Sequence, residues 1–383
     1  MTLTFDFDQV IDRRPTSSSK WDKYAGRDIL PMWVAEMDFR SPPAVIDALK
    51  QRADHGIFGY TNPPAQLIHE VQGMLANRYG WNVDERSIVW LPGLVTGLNG
   101  CCRAVGESGD EVITATPVYP PFLTAPGLSS RKLVTVALDS SGGRWEFDFD
   151  RLEKTLTART GLLILCNPHN PVGRIFTRRE LERLAALCQS HDLIICSDEI
   201  HCDLILDEDK RHIPFATLGS DIADRTITLM APSKTYNVPG LGCSFAVITN
   251  RRIRQRFKQA TDGIVPHVNV MGFTAALAAY RHGGHWLAAL LDYLRGNRDL
   301  VLREIERMPH ISTTPVEATY LAWVDCRRIG TEKPARFFEQ AGVGLSDGDE
   351  FGGPGYVRLN FGCPRATLEE ALARMNAALE ALG

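Results

Sequence analysis

The chain has 383 residues, of which 44% are hydrophobic and 23% are charged, and its formal net charge is −4. This composition is typical of a folded globular protein, and it excludes a disordered chain, a collagen-like repeat and a small disulfide-bonded protein. The length suggests two or three domains, and the slightly acidic charge predicts no bulk attraction to nucleic acid or to an anionic membrane.

Nine cysteines are spread along the chain, several of them inside apolar segments, and none forms a Cys-x-x-Cys pair. This pattern favours buried, reduced thiols and predicts no metal site. The N-terminus carries acidic residues and lacks the basic-then-apolar order of a signal peptide. No apolar run approaches the roughly 18 residues that a membrane helix needs. We therefore expect a cytoplasmic protein that does not associate with membranes.

Short apolar runs in the first two thirds predict buried strands at residues 112–115, 162–166, 193–196, 226–230 and 244–248. Continuous apolar runs are typical of a parallel sheet that is covered on both faces. Between the second and third runs, Thr177-Arg-Arg-Glu180 predicts the capped start of a helix, which completes a β-α-β unit. The sequence therefore predicts an α/β fold around a mostly parallel sheet.

The C-terminal third has a different pattern. Long helical patterns cover residues 268–282 and 286–308, and shorter apolar runs predict strands at residues 320–325 and 356–360. A second capping box, Thr367-Leu-Glu-Glu370, predicts the start of a last helix with one apolar face. These elements predict a smaller α+β unit, with a boundary near residue 283.

Three polar segments each follow a predicted strand. They are Cys166-Asn-Pro-His-Asn-Pro-Val-Gly173, Ser197-Asp-Glu-Ile-His-Cys202 and Ala231-Pro-Ser-Lys-Thr235. In open α/β sheets, ligands bind at the carboxyl ends of the strands. Each segment alone is also typical of a turn, a helix cap or a surface loop, but together they place an amide, a carboxylate and a lysine at one edge of the sheet.

In their order and spacing, these segments resemble the fold-type I pyridoxal 5′-phosphate (PLP) enzymes of the class I/II aminotransferase superfamily. Longer strings resemble the MalY/PatB-type cystathionine β-lyases, which are C–S lyases. These strings are PMWVAEMDF at 31–39, FGYTNPP at 58–64, TPVYPPF at 116–122, SDEIHCDLI at 197–205, APSKTYNVPGL at 231–241 and VRLNFGCPR at 357–365.

The resemblance covers most of the chain and implies a three-layer α/β fold of the PLP-transferase type. Its mostly parallel central sheet would belong to a large PLP-binding domain of residues 48–283. A smaller α+β domain would combine both ends of the chain, residues 1–47 and 284–383.

The resemblance also assigns roles to the three segments. Lys234 would bind the aldehyde of PLP and later act as the base that removes the substrate Cα proton. Asp198 would keep the ring nitrogen protonated, with its neighbour Glu199 as the alternative that the spacing disfavours. Asn170 would donate to the 3′ oxygen of the ring. His201 stands where many relatives carry a tyrosine that contacts the same oxygen, and it either takes a related role or only packs there.

Other residues would hold the rest of the cofactor. Tyr119 is placed to stack on the ring, and it is counted among the catalytic residues because stacking sets the tilt of the ring. The phosphate would bind at the N-terminus of a predicted helix, where free amides favour anions. We expect the backbone amides of Gly93, Leu94 and Val95 and the hydroxyl of Ser233 to provide its donors.

The sequence departs from the superfamily at Gly242, since many members carry a phosphate-binding arginine eight residues after the lysine. The sequence does not show which group replaces it. Tyr60 resembles a tyrosine that reaches the phosphate and substrate of the neighbouring subunit, which implies a homodimer with shared active sites. Arg358 matches the arginine that binds the substrate α-carboxylate, and Arg365 is the nearby alternative.

The function that these residues imply is α,β-elimination from L-cystathionine or a related cysteine S-conjugate, which gives a thiol (homocysteine), pyruvate and ammonia. The first alternative is an aminotransferase that acts on an L-amino acid through the same residues. The second is a regulatory or binding protein built on a PLP scaffold, which the presence of Lys234 and Asp198 argues against. The expected small-molecule partner is an amino acid.

Overall fold

The computed structural model describes residues 5–382 of the chain. The strands are β1 (Leu30–Pro31), β2 (Ile88–Leu91), β3 (Glu111–Thr116), β4 (Lys132–Ala137), β5 (Thr160–Cys166), β6 (Ile194–Asp198), β7 (Thr226–Met230), β8 (Ser244–Val247), β9 (Ser312–Thr313), β10 (Leu321–Asp325), β11 (Val343–Gly344), β12 (Ser346–Asp347) and β13 (Tyr356–Asn360). The five strands predicted for the central sheet and the two predicted for the C-terminal third are therefore confirmed.

The α-helices in this range are α1 (Ser19–Asp22), α2 (Pro43–His55), α3 (Ala65–Tyr79), α4 (Leu94–Ala104), α5 (Pro120–Leu128), α6 (Phe149–Thr155), α7 (Arg178–Ser190), α8 (Ser220–Ala223), α9 (Arg251–Thr261), α10 (Val270–His282), α11 (Gly284–Arg307), α12 (Pro334–Gln340) and α13 (Arg365–Glu380). None of these helices combines the length and the apolar character that a membrane crossing requires.

The central sheet has seven strands in the order β2-β8-β7-β6-β5-β3-β4. The pairs from β7 to β4 are all parallel, and β8 is antiparallel to both of its neighbours, so the prediction of a mostly parallel sheet is confirmed. A second sheet of four antiparallel strands has the order β12-β13-β10-β9. The edge strands β2 and β4 were not predicted. The side chains of β4 are mostly exposed or half-buried, so it lacks the continuous apolar run of a central strand.

Both faces of the central sheet are buried. Along β5, Leu162 and Ile164 pack with residues of α4 and α5, whereas Leu163 and Leu165 pack with residues of α7 on the opposite face. This alternation follows from the two-residue period of a strand. It produces three layers, with helices on each side of the sheet.

One predicted helix start is confirmed and another is wrong. Thr177 and Glu180 form the predicted reciprocal capping box at the start of α7. The last helix does not begin after Thr367, because α13 begins two residues earlier, at Arg365. The amide of Arg365 donates to the hydroxyl of Tyr293 at 2.7 Å, so a side chain from another helix stabilises the first turn. The capping-box pattern cannot reveal such a distant partner.

Candidate active site

A cavity of about 320 Å³ lies at the carboxyl ends of the central strands, and its wall includes all three of the predicted polar segments. Cys166 at the end of β5 pairs with Asp198 at the end of β6, and Asp198 pairs with Leu229 of β7. Because these strands are parallel neighbours, the loops that follow them leave the sheet at the same edge. The structure therefore brings Asn170, Asp198 and Lys234 to one cavity.

Asp198 and Glu199 are adjacent buried carboxylates with different surroundings. Asp198 lines the cavity and accepts one backbone hydrogen bond, from the amide of Ile200 at 3.1 Å. Burial is the main cause that raises the pKa of Asp198 to about 7. Glu199 points away and accepts hydrogen bonds from Ser197 and from the amide of Phe215, with His212 at 2.7 Å. Only Asp198 is free to face a cationic ligand.

Lys234 lies in the loop after β7 and is half-buried against the cavity. Its ammonium donates to the carbonyl of Ala35. Burial lowers the pKa of Lys234 to about 8, and the positive charge of Arg358 lowers it further, against the opposing effects of Glu36 and Asp198. A lysine with this pKa has a substantial neutral fraction near pH 8, which a nucleophilic amine requires.

Arg358, on β13, is a buried guanidinium that pairs with no carboxylate of the described residues. Its Nη1 donates to Asn170 Oδ1 at 3.0 Å, and its Nη2 donates to Trp33 O at 2.8 Å and to Ser346 Oγ at 3.2 Å. Its Nε is buried and has no partner within residues 5–382. Burial lowers the pKa of Arg358 to about 10. The site therefore holds a cation that lacks its anion.

His201 and Tyr119 also line the cavity. His201 is buried, and no group in the described part of the chain bonds to its Nδ1. Burial lowers the pKa of His201 to about 3, so the imidazole is neutral and can both donate and accept a hydrogen bond. Tyr119 immediately precedes α5, and burial raises its pKa, so its hydroxyl stays protonated near neutral pH.

The N-terminus of α4 forms another part of the wall. Gly93 precedes the helix without a side-chain cap, and Leu94 and Val95 occupy its first turn. Their amides are suited to an anion, and Ser233 lies on the same wall. Gly242 also lines the cavity, with a left-handed φ of +57°, and a Cβ there would lie 3.1 Å from the carbonyl of Pro92. This backbone disfavours an arginine at the position.

Two predicted residues lie outside this cavity. Tyr60 is fully exposed in the segment between α2 and α3. Arg365 begins α13, where its Nε donates to Asn297 Oδ1 at 2.7 Å and its guanidinium lies over the ring of Tyr293. The structure therefore separates the two candidate arginines, since only Arg358 reaches the cavity.

Sequence reasoning missed several residues of the wall. The segment from Trp33 to Ala35 forms one side, and Ser346, Glu350 and Phe351 extend it. The string at 31–39 is one of those that carry the family resemblance, but the resemblance gives no role to its individual residues. Glu350 and Phe351 lie in a short 3-10 turn, which has no sequence pattern of its own.

These residues fit PLP. An amine and a carboxylate face the same cavity, as an aldehyde and a pyridine nitrogen require, and an uncapped helix N-terminus is available for a phosphate. The unpartnered Nδ1 of His201 and Nε of Arg358 are further polar atoms that a ligand can satisfy. The volume is also within the usual range for a small-molecule site.

Comparison with known proteins agrees with this chemistry. The family model described as "Aminotransferase class I and II" matches residues 27–375. The chain is 40% identical to the cystathionine beta-lyase PatB of Bacillus subtilis (strain 168), over 98% of this chain and 100% of that protein. The crystal structure of OvoB superposes with a TM-score of 0.96 at 48% identity, over 98% of this chain and 99% of that chain. The PLP-bound C-S lyase from Staphylococcus hominis superposes with a TM-score of 0.93 at 33% identity, over 98% of each chain.

The chain therefore belongs to the class I and II aminotransferase family. Within that family it is similar to the MalY/PatB-type lyases, so the resemblance drawn from the motifs is confirmed. The match to PLP-bound structures over the whole chain also confirms a fold of type I.

Proposed function

We propose that this protein is a PLP-dependent C–S lyase that cleaves the Cβ–S bond of L-cystathionine or related cysteine S-conjugates. The observation that carries the proposal is that Lys234, Asp198, Asn170 and Arg358 meet around one cavity at the carboxyl edge of the sheet. The names of the similar proteins, a cystathionine beta-lyase and a C-S lyase, support elimination over transamination. With one water, the products are a thiol, pyruvate and ammonia.

When bound, PLP supplies an aldehyde that links to amines and a protonated ring that accepts electrons from the substrate Cα. Lys234 provides the amine that holds the aldehyde. After the substrate amine has replaced it, the neutral Lys234 Nζ would be free to remove the Cα proton. A pKa of about 8 allows this proton transfer near neutral pH. The same side chain therefore binds the cofactor and acts as the base.

Asp198 would face the ring nitrogen of bound PLP and keep a proton there. A buried carboxylate with no cationic partner is costly, which is why its pKa is raised in the chain alone. An adjacent cationic nitrogen would lower that pKa and retain the ionised form. His201 and Asn170 lie on the same wall and would supply hydrogen bonds to the 3′ oxygen, and Tyr119 would stack on the ring.

Arg358 binds the substrate α-carboxylate. Three of its N–H groups already donate to Asn170, Trp33 and Ser346, which fix the direction of the guanidinium. Its remaining N–H groups, including the unpartnered Nε–H, are available for an incoming carboxylate. Because the guanidinium does not have to move, the substrate is oriented at little entropic cost.

We also propose that the functional unit is a homodimer with shared active sites. The loop that carries Tyr60 exposes Ile57 and Phe58, with 65% and 59% of their surfaces accessible, which is unusual for large apolar side chains that lie side by side. In a dimer, Tyr60 of one subunit would supply a hydroxyl to the phosphate and substrate of the other. This would also supply a donor where Gly242 replaces the arginine.

The proposed small domain draws on one hydrophobic cluster, which also contains residues of the large domain such as Leu204 and Tyr236. The cluster joins residues near the N-terminus, among them Met32 and Val45, to residues of α11, β10, β13 and α13. This supports a small domain built from residues 1–47 and 284–383, of which residues 1–4 and 383 lie outside the described range, and a large domain of residues 48–283. All nine cysteines are free and buried, which supports a reducing compartment such as the cytoplasm.

The test of the proposed function is to incubate the purified holoenzyme with L-cystathionine and no keto acid. We expect pyruvate and free thiol in equal amounts over many turnovers. If product appears only after a keto acid is added, the protein is an aminotransferase. If no amino acid is consumed under either condition although PLP is bound, the catalytic proposal fails, and a binding role remains.

A further inference from the structure

The cavity wall contains one charged side chain for which the proposed chemistry has no role. Within the described residues, the charged side chains of the wall are Asp198, Lys234, Glu350 and Arg358. The first two serve the cofactor and Arg358 serves the α-carboxylate. Burial keeps the imidazole of His201 neutral, so it adds no positive charge. The remaining charge is the carboxylate of Glu350.

Glu350 is exposed at the cavity rim and forms no ion pair with any described residue. It is close enough to raise the pKa of Arg358, yet the guanidinium bonds to Asn170, Trp33 and Ser346 instead. Its neighbour Phe351 is buried, with its ring 4.6 Å from the guanidinium carbon of Arg358. The short turn from Gly348 to Phe351 therefore packs one side chain on the arginine and leaves the next one, a carboxylate, at the rim.

Much of the remaining wall is apolar. Trp33, Val34 and Phe351 lie on the same side of the cavity as Glu350, and the Nε1 of Trp33 is already bonded to Lys20 O. Lys234 and Arg358 are the only cationic side chains of the described residues that line the cavity. A bound phosphate would add negative charge. Near Glu350, the wall therefore offers apolar surface and a negative charge to the part of a substrate beyond sulfur.

We propose that Glu350 selects the leaving group, so that the site prefers cysteine S-conjugates whose thiol carries a positive charge over those whose thiol carries a negative charge. This inference rests on the proposed function. The charge that Glu350 would recognise stays on the thiol after cleavage. The preference therefore concerns substrate binding and does not change the stoichiometry of the reaction. L-cystathionine is compatible, because its distal ammonium can face Glu350 while its distal carboxylate faces solvent.

Three substrates of similar size test the proposal on the holoenzyme. They are S-(2-aminoethyl)-L-cysteine, S-propyl-L-cysteine and S-(2-carboxyethyl)-L-cysteine, which release cationic, neutral and anionic thiols. For the wild type, we expect kcat/KM to be about tenfold or more higher for the cationic than for the anionic substrate. In Glu350→Gln this ratio should fall to about two, and in Glu350→Lys it should invert.

The matched control is Asp349→Asn, which removes the same charge from the neighbouring residue of the same turn. Asp349 pairs with Lys333 at 2.6 Å and does not line the cavity, so its substitution should leave the ratio within about twofold of the wild type. If Asp349→Asn lowers the ratio as much as Glu350→Gln does, the effect is long-range charge, and Glu350 is not the selecting residue.

A second readout needs no cleavage. L-Lysine and L-2-aminoadipate have no Cβ–S bond, and their dissociation constants can be measured by calorimetry. We expect the wild type to bind L-lysine more tightly and Glu350→Gln to lose that preference. A wild type that favours the anionic ligands, or a Glu350→Gln variant that changes all three substrates equally, would overturn the proposal. Failure to cleave even S-propyl-L-cysteine would instead refute the lyase function, while the calorimetric comparison would still decide the role of Glu350.

Discussion

The two sides of the cavity are built in different ways. The strand-edge side consists of Asn170, Asp198 and Lys234, which follow or end neighbouring parallel strands. The chain-end side consists of residues 33–35 together with Ser346, Glu350, Phe351 and Arg358, which come from distant parts of the sequence. On the first side, sheet hydrogen bonds position the functional groups, and on the second, side chains do so by donating to backbone carbonyls.

The chain-end side shows this clearly. Trp33 O accepts from Arg358 and, at 2.8 Å, from Ser346 Oγ, while Ala35 O accepts from Tyr320 Oη at 3.0 Å. Substitutions on the strand-edge side should therefore abolish chemistry, whereas substitutions on the chain-end side should weaken binding and loosen the wall.

The largest effect is expected for Lys234→Ala. This change removes the side chain proposed both to hold the cofactor and to act as the base, so activity should fall by about 10³-fold or more. The visible absorbance of the cofactor–lysine linkage should disappear in a spectrum of the variant supplied with PLP. The exposed Lys258 of α9 provides a control, and Lys258→Ala should keep both properties. A Lys234→Ala variant with a tenth of normal activity would contradict the assignment.

The next largest effect is expected for Asp198→Asn, which should change how the free energy of unfolding of the cofactor-free chain depends on pH. Burial raises the pKa of Asp198 from its usual 3.8 to about 7, so the unfolded chain ionises first as the pH rises. The wild type should therefore lose stability between pH 4 and 7, whereas Asp198→Asn lacks this penalty. The difference should favour the variant by about 4 kcal/mol above pH 7, measured by urea unfolding across the pH range.

The carboxyl of Glu111 should change the pH dependence of stability in the opposite direction. Hydrogen bonds from Thr157 and Lys132 lower the pKa of this carboxyl to about 2. Its stabilising effect is present above its usual pKa of 4.5 and is lost as the pH falls toward 2. Glu111→Gln should therefore lose stability relative to the wild type as the pH rises from about 2 to 4.5. If both variants shift in the same direction, the carboxylates do not have the environments described.

On the chain-end side, Arg358→Lys should lower kcat/KM by about 10²-fold, mainly through KM. Lysine keeps the charge but loses the fork that bonds to Asn170 and Trp33 and pairs with a carboxylate. Steady-state kinetics with L-cystathionine would measure this. Arg365→Lys, which lies outside the cavity, should change kcat/KM by less than about threefold. A loss in kcat at constant KM would instead place Arg358 in the chemical step.

The smallest effect is expected for Asn360→Ala, which loosens the wall without touching the cavity. Asn360 Nδ2 donates to Val34 O and to Glu36 O at 2.7 Å, and its Oδ1 accepts from the amide of Gly362. Leaving these buried groups unpaired should cost about 2 kcal/mol and raise KM severalfold. The control Asn376→Ala, at an exposed pair on α13, should cost less than about 0.5 kcal/mol. Equal costs would mean that Asn360 does not hold the wall.

The same comparison explains what the sequence could predict. The residues of the strand-edge side could be predicted because an apolar strand followed by a polar loop is a local sequence pattern. Parallel neighbouring strands then bring such loops together. The sequence therefore predicts Asn170, Asp198 and Lys234 as neighbours, and it predicts the five apolar central strands within two residues at each end.

The residues of the chain-end side were harder to predict from the sequence because their contacts join positions that are far apart in the chain. Ser346 and Trp33 meet only after the second sheet and the N-terminal segment have packed, and no short window contains both. Glu350 was missed for the same reason, since an exposed acid in a turn is typical of a solvated surface. The resemblance identified Arg358, but the sequence alone could not show that Arg365 would instead pack on Tyr293.

The nine buried thiols have a practical consequence for comparing the two sides. They are distributed over all four hydrophobic clusters, with Cys101 and Cys196 behind the strand-edge side and Cys326 and Cys363 behind the chain-end side. A thiol reagent can modify these four cysteines, which do not line the cavity, only when the surrounding structure opens. Mass spectrometry of the labelled peptides would therefore show which of the two sides unfolds locally first. The native cysteines can therefore serve as probes of local unfolding without any added label site.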